Sequence, residues 1–140
     1  MQAIILAAGM GKRLGELTRN NTKCMVEVGG VKLIERALTI LDKKNLNKII
    51  LVVGYQYENL VAFVDSLKIK TPIEYIINDI YHKTNNIFSL SLAKEQIMQD
   101  DTLLLESDLI FEERLIDMLL EDKRDTLALV DKFENWMDGT

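Results

Sequence analysis

The chain has 140 residues, 48% of them apolar and 28% charged, a balance that fits one compact globular domain. Its net charge of -5 argues against broad nucleic-acid binding, which needs a basic face. It does not exclude a nucleotide, whose phosphates a few local cations can hold. Cys24 is the only cysteine, so no internal disulfide can form, and no apolar run approaches the ~20 residues of a membrane helix. The opening Met1-Gln2-Ala3-Ile4-Ile5-Leu6 is apolar but short and has no basic leader, unlike a signal peptide. The expectation is a soluble, cytoplasmic protein without nucleic-acid or membrane partners.

Residues 3–7 are a continuous apolar run, the pattern of a strand buried on both faces. A long Gly-containing segment follows, from Ala8 to about Gly30; within it Cys24 leads an apolar, strand-like stretch and reads as buried and inert. Leu33, Ile34, Ala37, Leu38 and Leu41 recur at helical spacing and predict a helix over 32–44. Residues 48–53 are β-branched and apolar and end at Gly54. Leu60, Val61, Val64 and Leu67 mark a second helix over 57–67. Pro72 precedes a third strand at 73–77, and Asn85 or Asn86 is placed to cap a third helix running to about Met98. A fourth strand at 102–105, a helix at 113–121 and a fifth strand at 126–130 follow.

Strands alternating with helices predict βαβ units, hence a parallel sheet with helices on both faces. Ligands bind such sheets at the carboxyl ends of the strands, here after Ala7, Val53, Ile77 and Leu105. The closing Asp138-Gly139-Thr140 carries a turn signal, so the chain reads as though cut before a hairpin closes.

Ala7-Ala8-Gly9-Met10-Gly11-Lys12-Arg13-Leu14 directly follows the first strand. Small residues let backbone N–H groups approach and cradle phosphates, and Lys12 and Arg13 bring positive charge to the same place. A Walker P-loop is excluded, because Arg13 follows Gly11-Lys12 and no Gly lies five residues before Gly11. A dinucleotide fingerprint fails as well: Leu14 occupies the third glycine position and the first clear helix starts only near Lys32.

The stretch from Leu6 to Leu14 resembles the Leu-Ala-Ala-Gly-x-Gly-x-Arg-Leu signature of the nucleotidylyltransferases. Leu17-Thr18, Lys23 and the run Val28-Gly29-Gly30-Val31-Lys32-Leu33-Ile34-Glu35 continue the resemblance, with Thr22 where the family usually has proline. Val52-Val53-Gly54-Tyr55, Asn78-Asp79, the run Thr84-Asn85-Asn86-Ile87-Phe88-Ser89-Leu90, and Glu106-Ser107-Asp108 look like the bacterial phosphocholine cytidylyltransferases and their phosphonate-activating relatives. The resemblance implies a Rossmann-like, mostly parallel sheet flanked by helices, of the nucleotide-diphospho-sugar transferase type. It also implies transfer of CMP from CTP to phosphocholine or an aminoalkylphosphonate such as 2-aminoethylphosphonate, with Mg²⁺ and release of pyrophosphate. A sugar-1-phosphate acceptor, or a nucleotide-binding module without catalysis, is the alternative. Complete family members carry a second metal-binding Asp beyond the length of this chain.

The resemblance assigns Lys23 to the α-phosphate, Arg13 and Lys12 to the β- and γ-phosphates, and Asp108 to the metal; Asp108 could otherwise cap a helix or turn near Glu112. Leu6, Ala8, Gly9, Met10 and Gly11 would line the nucleotide cradle. Asn78, Asn86 and Ser89 offer groups suited to a pyrimidine edge or ribose, and Tyr55 could line the base pocket or only pack a loop. Glu106 reads as a support for Asp108 or as a strand-end acid. Trp136 stands where an aromatic ring could hold a quaternary ammonium by cation–π attraction, or else packs in a core. His82, alone in a polar loop, is no metal ligand by this reading. The implied partners are CTP or another NTP and a phosphorylated small molecule; the chain could also form a homo-oligomer.

Overall fold

The computed structural model describes residues 1–11, 15–16, 18–132 and 134–135. The chain forms two compact units, Met1–Ile110 and Phe111–Thr140. The first holds a sheet of four parallel strands: β1 (Gln2–Ala7), β4 (Ile49–Val53), β5 (Ile73–Ile77) and β6 (Thr102–Glu106), in the order β5-β4-β1-β6. β1 and β4 are central and buried along their whole length, which is why both read as unbroken apolar runs. The edge strands β5 and β6 are only partly covered. Each fully buried Ile, Leu or Val in the central pair contributes about 1.5–3 kcal/mol of transfer free energy.

One face of the sheet presents Ile4, Leu6, Ile50 and Val52 to Ala93, with Ile76, Leu90 and Ile97 packed around them. Ile76 belongs to β5, whereas Leu90, Ala93 and Ile97 belong to α3 (Asn86–Leu92), α4 (Lys94–Ile97) and the joint between them. The expected single helix is therefore two short ones. The chain turns at Ala93, whose backbone leaves helical geometry at ψ 15° so that its methyl group seats fully buried against the sheet. The alternate residues Ala3, Ile5, Ile49, Leu51 and Val53 point to the opposite face and are equally buried. The apolar stripes of α1 (Leu33–Leu41) and α2 (Tyr57–Ser66) are the surfaces available to cover them.

Between β1 and α1 the chain forms structure that the sequence reading left as one glycine-containing segment. Lys23–Met25 is a 3-10 turn, where a strand-like stretch from Cys24 was expected. β2 (Glu27–Val28) and β3 (Val31–Lys32) form an antiparallel hairpin. Gly29 and Gly30 connect them at φ +61° and +78°, the paired positive φ of a tight hairpin turn.

In the second unit α5 (Glu113–Glu121) has the bounds expected of it, and Ile116 is its buried residue. The fifth strand expected at 126–130 does not form. A strand needs a neighbour to take its backbone hydrogen bonds, and no such ladder partner exists among the described residues; Leu129 and Val130 stay exposed. No helix among the described residues is long and apolar enough to cross a membrane.

Candidate active site

The strand order creates a crevice. From β1 the chain moves outward on one side to β4 and β5, then returns to lay β6 against the other side of β1. Leu6 therefore sits between Val52 and Glu106 in the ladder, and the carboxyl ends of β1 and β6 lie side by side. This is the topological switch point, where open α/β sheets bind ligands.

Ala8 is buried just past the end of β1, and beyond it a side chain at Gly9 would meet only open space. Gly11 adopts φ +63°, and an added Cβ would lie 3.0 Å from Thr18 Cγ2 and 3.1 Å from Lys23 Cβ. Backbone conformation and close approach both require glycine there. The Thr18 hydroxyl, buried, donates to the Gly11 carbonyl at 2.9 Å and folds the loop back on itself. Of the cradle residues, Leu6 packs its side chain into the core and Met10 is partly exposed. Lys12, Arg13 and Trp136 lie outside the described residues.

The loop then delivers Lys23. The 3-10 turn places Cys24 inward, its sulfur 2.9 Å from Thr22 Oγ1, and burial pushes the thiol up to about 11. With its neighbour anchored, Lys23 extends outward and its ammonium pairs with Asp108 Oδ2. Asp108 lies two residues beyond the end of β6, and 85 positions separate the pair in sequence. Each side chain is about one-third exposed, at 33% and 28%. The cap of α5 is Glu112, so Asp108 has the ion pair as its observed role.

Glu106 closes β6, and Asn86 Nδ2 donates to both its carboxylate oxygens at 3.0 Å. Asn85, not Asn86, caps α3: its Oδ1 accepts from the Phe88 N–H at 3.1 Å. Desolvation raises the Glu106 pKa, the Asn86 hydrogen bond opposes it, and the Asp108 carboxylate adds to the rise while Lys23 lowers it. Glu106, Asp108 and Lys23 thus share one electrostatic neighbourhood.

Asn78 and Ser89, expected to meet a pyrimidine edge or ribose, make hydrogen bonds within the protein. Both are buried. Asn78 donates to Thr84 Oγ1 at 3.0 Å and Ser89 Oγ at 3.1 Å, and accepts from the Ile80 N–H at 3.1 Å. Their polar atoms hold the loop after β5 onto α3. Tyr55 donates its hydroxyl to the Arg19 carbonyl at 3.1 Å and meets Tyr81 edge to face, with centroids 6.0 Å apart. Tyr81 gave no sequence signal. Its position depends on Gly54, where a Cβ would come within 2.8 Å of Tyr81 Cβ and 3.0 Å of the Ala8 carbonyl.

Among the described residues no three His, Cys, Asp or Glu side chains gather as a metal cage. Asp108 with a support such as Glu106 suits a hard divalent cation, which takes one or two carboxylates and fills its remaining positions with water and phosphate oxygens.

The sequence model of the MobA-like NTP transferase domain matches residues 3–136. The chain belongs to that family. As an NTP transferase domain it is similar to a choline-phosphate cytidylyltransferase of Streptococcus pneumoniae, 43% identical over 97 residues, which cover 69% of this chain and 41% of the relative. It is also similar to a CMP-5'-(3-aminopropyl)phosphonate synthase of Streptomyces rubellomurinus, 32% identical over 119 residues, covering 85% of this chain and 19% of the relative. Among solved structures, the inositol-1-phosphate CTP transferase from T. maritima aligns with a TM-score of 0.73 at 25% identity, over 87% of this chain and 49% of that one. The NTP transferase domain spans from 19% to 53% of the length of these and other curated relatives it matches.

Proposed function

We propose that this domain binds CTP with Mg²⁺ at the β1–β6 crevice and transfers CMP to phosphocholine or an aminoalkylphosphonate such as 2-aminoethylphosphonate, releasing pyrophosphate. The observation that carries this reading is the Lys23–Asp108 pair at the switch point. It sets one cation and one metal-capable carboxylate side by side, where a triphosphate can part them. Similarity to a cytidylyltransferase of choline phosphate and to a phosphonate-activating synthase supports the choice of acceptor.

The acceptor oxygen is already anionic at neutral pH, so the reaction needs no general base. Its phosphorus–oxygen bond to the α-phosphate forms as the bond to pyrophosphate breaks. Lys23 neutralises the α-phosphate, and its compact ammonium suits a centre where charge builds up. Arg13, with Lys12, holds the β- and γ-phosphates through the departure of pyrophosphate. Asp108 holds the cation, which when bound supplies charge neutralisation and orientation of the phosphates. The test is pyrophosphate release across a panel of NTPs and acceptors. CTP with phosphocholine or 2-aminoethylphosphonate should give the highest kcat/KM; activity confined to a sugar 1-phosphate or to inositol 1-phosphate would overturn the choice of acceptor.

A second reading is motivated by the span of the chain, about half or less of the length of its relatives. On this reading the 140 residues bind CTP weakly and turn it over little without further carboxylate ligands. Full-rate turnover by the purified chain would exclude it.

A further inference from the structure

Glu106 takes no part in the steps above, yet its carboxylate is held more firmly than an edge-strand acid requires. Its backbone is fixed in the ladder opposite Leu6. Its two oxygens both accept from Asn86 Nδ2 at 3.0 Å. Asn86 is the first residue of α3, whose start is set by the Asn85 cap. The carboxylate is therefore tied to the sheet at one end and to a helix terminus at the other, and it could swing in as a metal ligand only by giving up both hydrogen bonds. Asn86 is a neutral partner and brings no positive charge to Glu106, while Lys23 is paired with Asp108. Among the described residues, the Lys23 ammonium acts on both neighbouring acids.

We propose that Glu106 is a positioning residue for the divalent cation at Asp108: clamped by Asn86, it acts from outside the ligand sphere as a second fixed negative charge. This rests on the reading of Asp108 as the metal-holding side chain. Hydrated divalent cations respond strongly to such outer groups, because Mg²⁺ and Mn²⁺ keep several of their waters and those waters are oriented by nearby carboxylates.

The test is binding of Mn²⁺ alone to the purified chain, followed by the electron paramagnetic resonance of free Mn²⁺, with thermal midpoints measured in parallel. Glu106→Gln keeps the shape and removes the charge; it should weaken Mn²⁺ binding about 10-fold or more, the usual cost of losing an outer-shell partner, with the midpoint unmoved. Asn86→Ala keeps the charge but frees it, and should give a smaller loss. Asp108→Asn separates the two levels of the argument. If it weakens binding while Glu106→Gln matches wild type, the positioning role alone is overturned. If wild type takes up no Mn²⁺, or Asp108→Asn takes it up like wild type, the metal reading and this inference fall together. Should Glu106→Gln lower the midpoint, Asn86→Ala decides: weakened binding supports the role, and wild-type binding overturns it.

Discussion

At the scale of single residues, the account rests on side chains whose neighbours leave them one direction to point. Lys23 follows buried Thr22 and precedes buried Cys24, so its side chain is the one the 3-10 turn delivers to the crevice. Lys23→Ala should lower kcat by ~10²–10³, as the loss of a charge stabiliser in phosphoryl or acyl transfer does, in a steady-state pyrophosphate assay on the full-length protein. Its thermal midpoint should hardly move, because a partly exposed ion pair contributes only about 0–1 kcal/mol. Cys24 makes a contrasting prediction. With its thiol pushed up to about 11 by burial, only ~0.1% is thiolate at pH 8, so iodoacetamide should label it only in denaturant. Rapid labelling of the native protein would contradict its placement. Gly11→Ala brings a side chain to φ +63° against Thr18 and Lys23, and should cost about 1–2 kcal/mol in chemical denaturation.

At the scale of elements, the strands were legible because burial on both faces writes itself as unbroken runs, as in Ile49-Ile50-Leu51-Val52-Val53. The β2–β3 hairpin was equally legible in Val28-Gly29-Gly30-Val31, a two-glycine turn between short apolar flanks, but was absorbed into the longer glycine-containing segment. The strand at 126–130 shows the opposite failure: composition favours extended backbone, and only a pairing partner makes a strand of it. Two caps set element boundaries and can be tested. Asn85→Ala removes the acceptor for the Phe88 N–H and should destabilise the protein by about 1 kcal/mol, measured in urea. Asp42 accepts from the N–H groups of Lys70 and Thr71 and from the Thr71 hydroxyl, tying the end of α1 to the turn before β5. The Thr71 N–H bond, chiefly, holds its carboxyl below the usual range. Because that pKa is lowered on folding, its contribution is complete above the unfolded value near 3.9 and is lost as pH falls through the folded value. Asp42→Asn should therefore narrow its stability gap to wild type in urea melts as pH drops below about 4.

At the scale of the whole molecule, the site was only half legible. The glycine loop is legible in its local pattern, while Lys23 and Asp108 stood out only through the resemblance to the nucleotidylyltransferases. That they serve one site came only from the resemblance, and their direct ion pair depends on β6 returning to the far side of β1, a fact of strand order that no local pattern encodes. The inward turn of Asn78 and Ser89 was hidden for a similar reason: an amide suits a base edge and a buried loop equally well until burial is known. The acidic net charge of -5 makes local cations the natural way to hold a triphosphate. The central claim is that the Lys23–Asp108 pair is the resting form of a nucleotide and metal site. A crystal structure with CTP and Mg²⁺ tests it most directly. The account predicts that Lys23 leaves Asp108 for the α-phosphate and that the cation takes its place on the carboxylate. An intact Lys23–Asp108 pair, with the triphosphate bound elsewhere on the molecule, would contradict it.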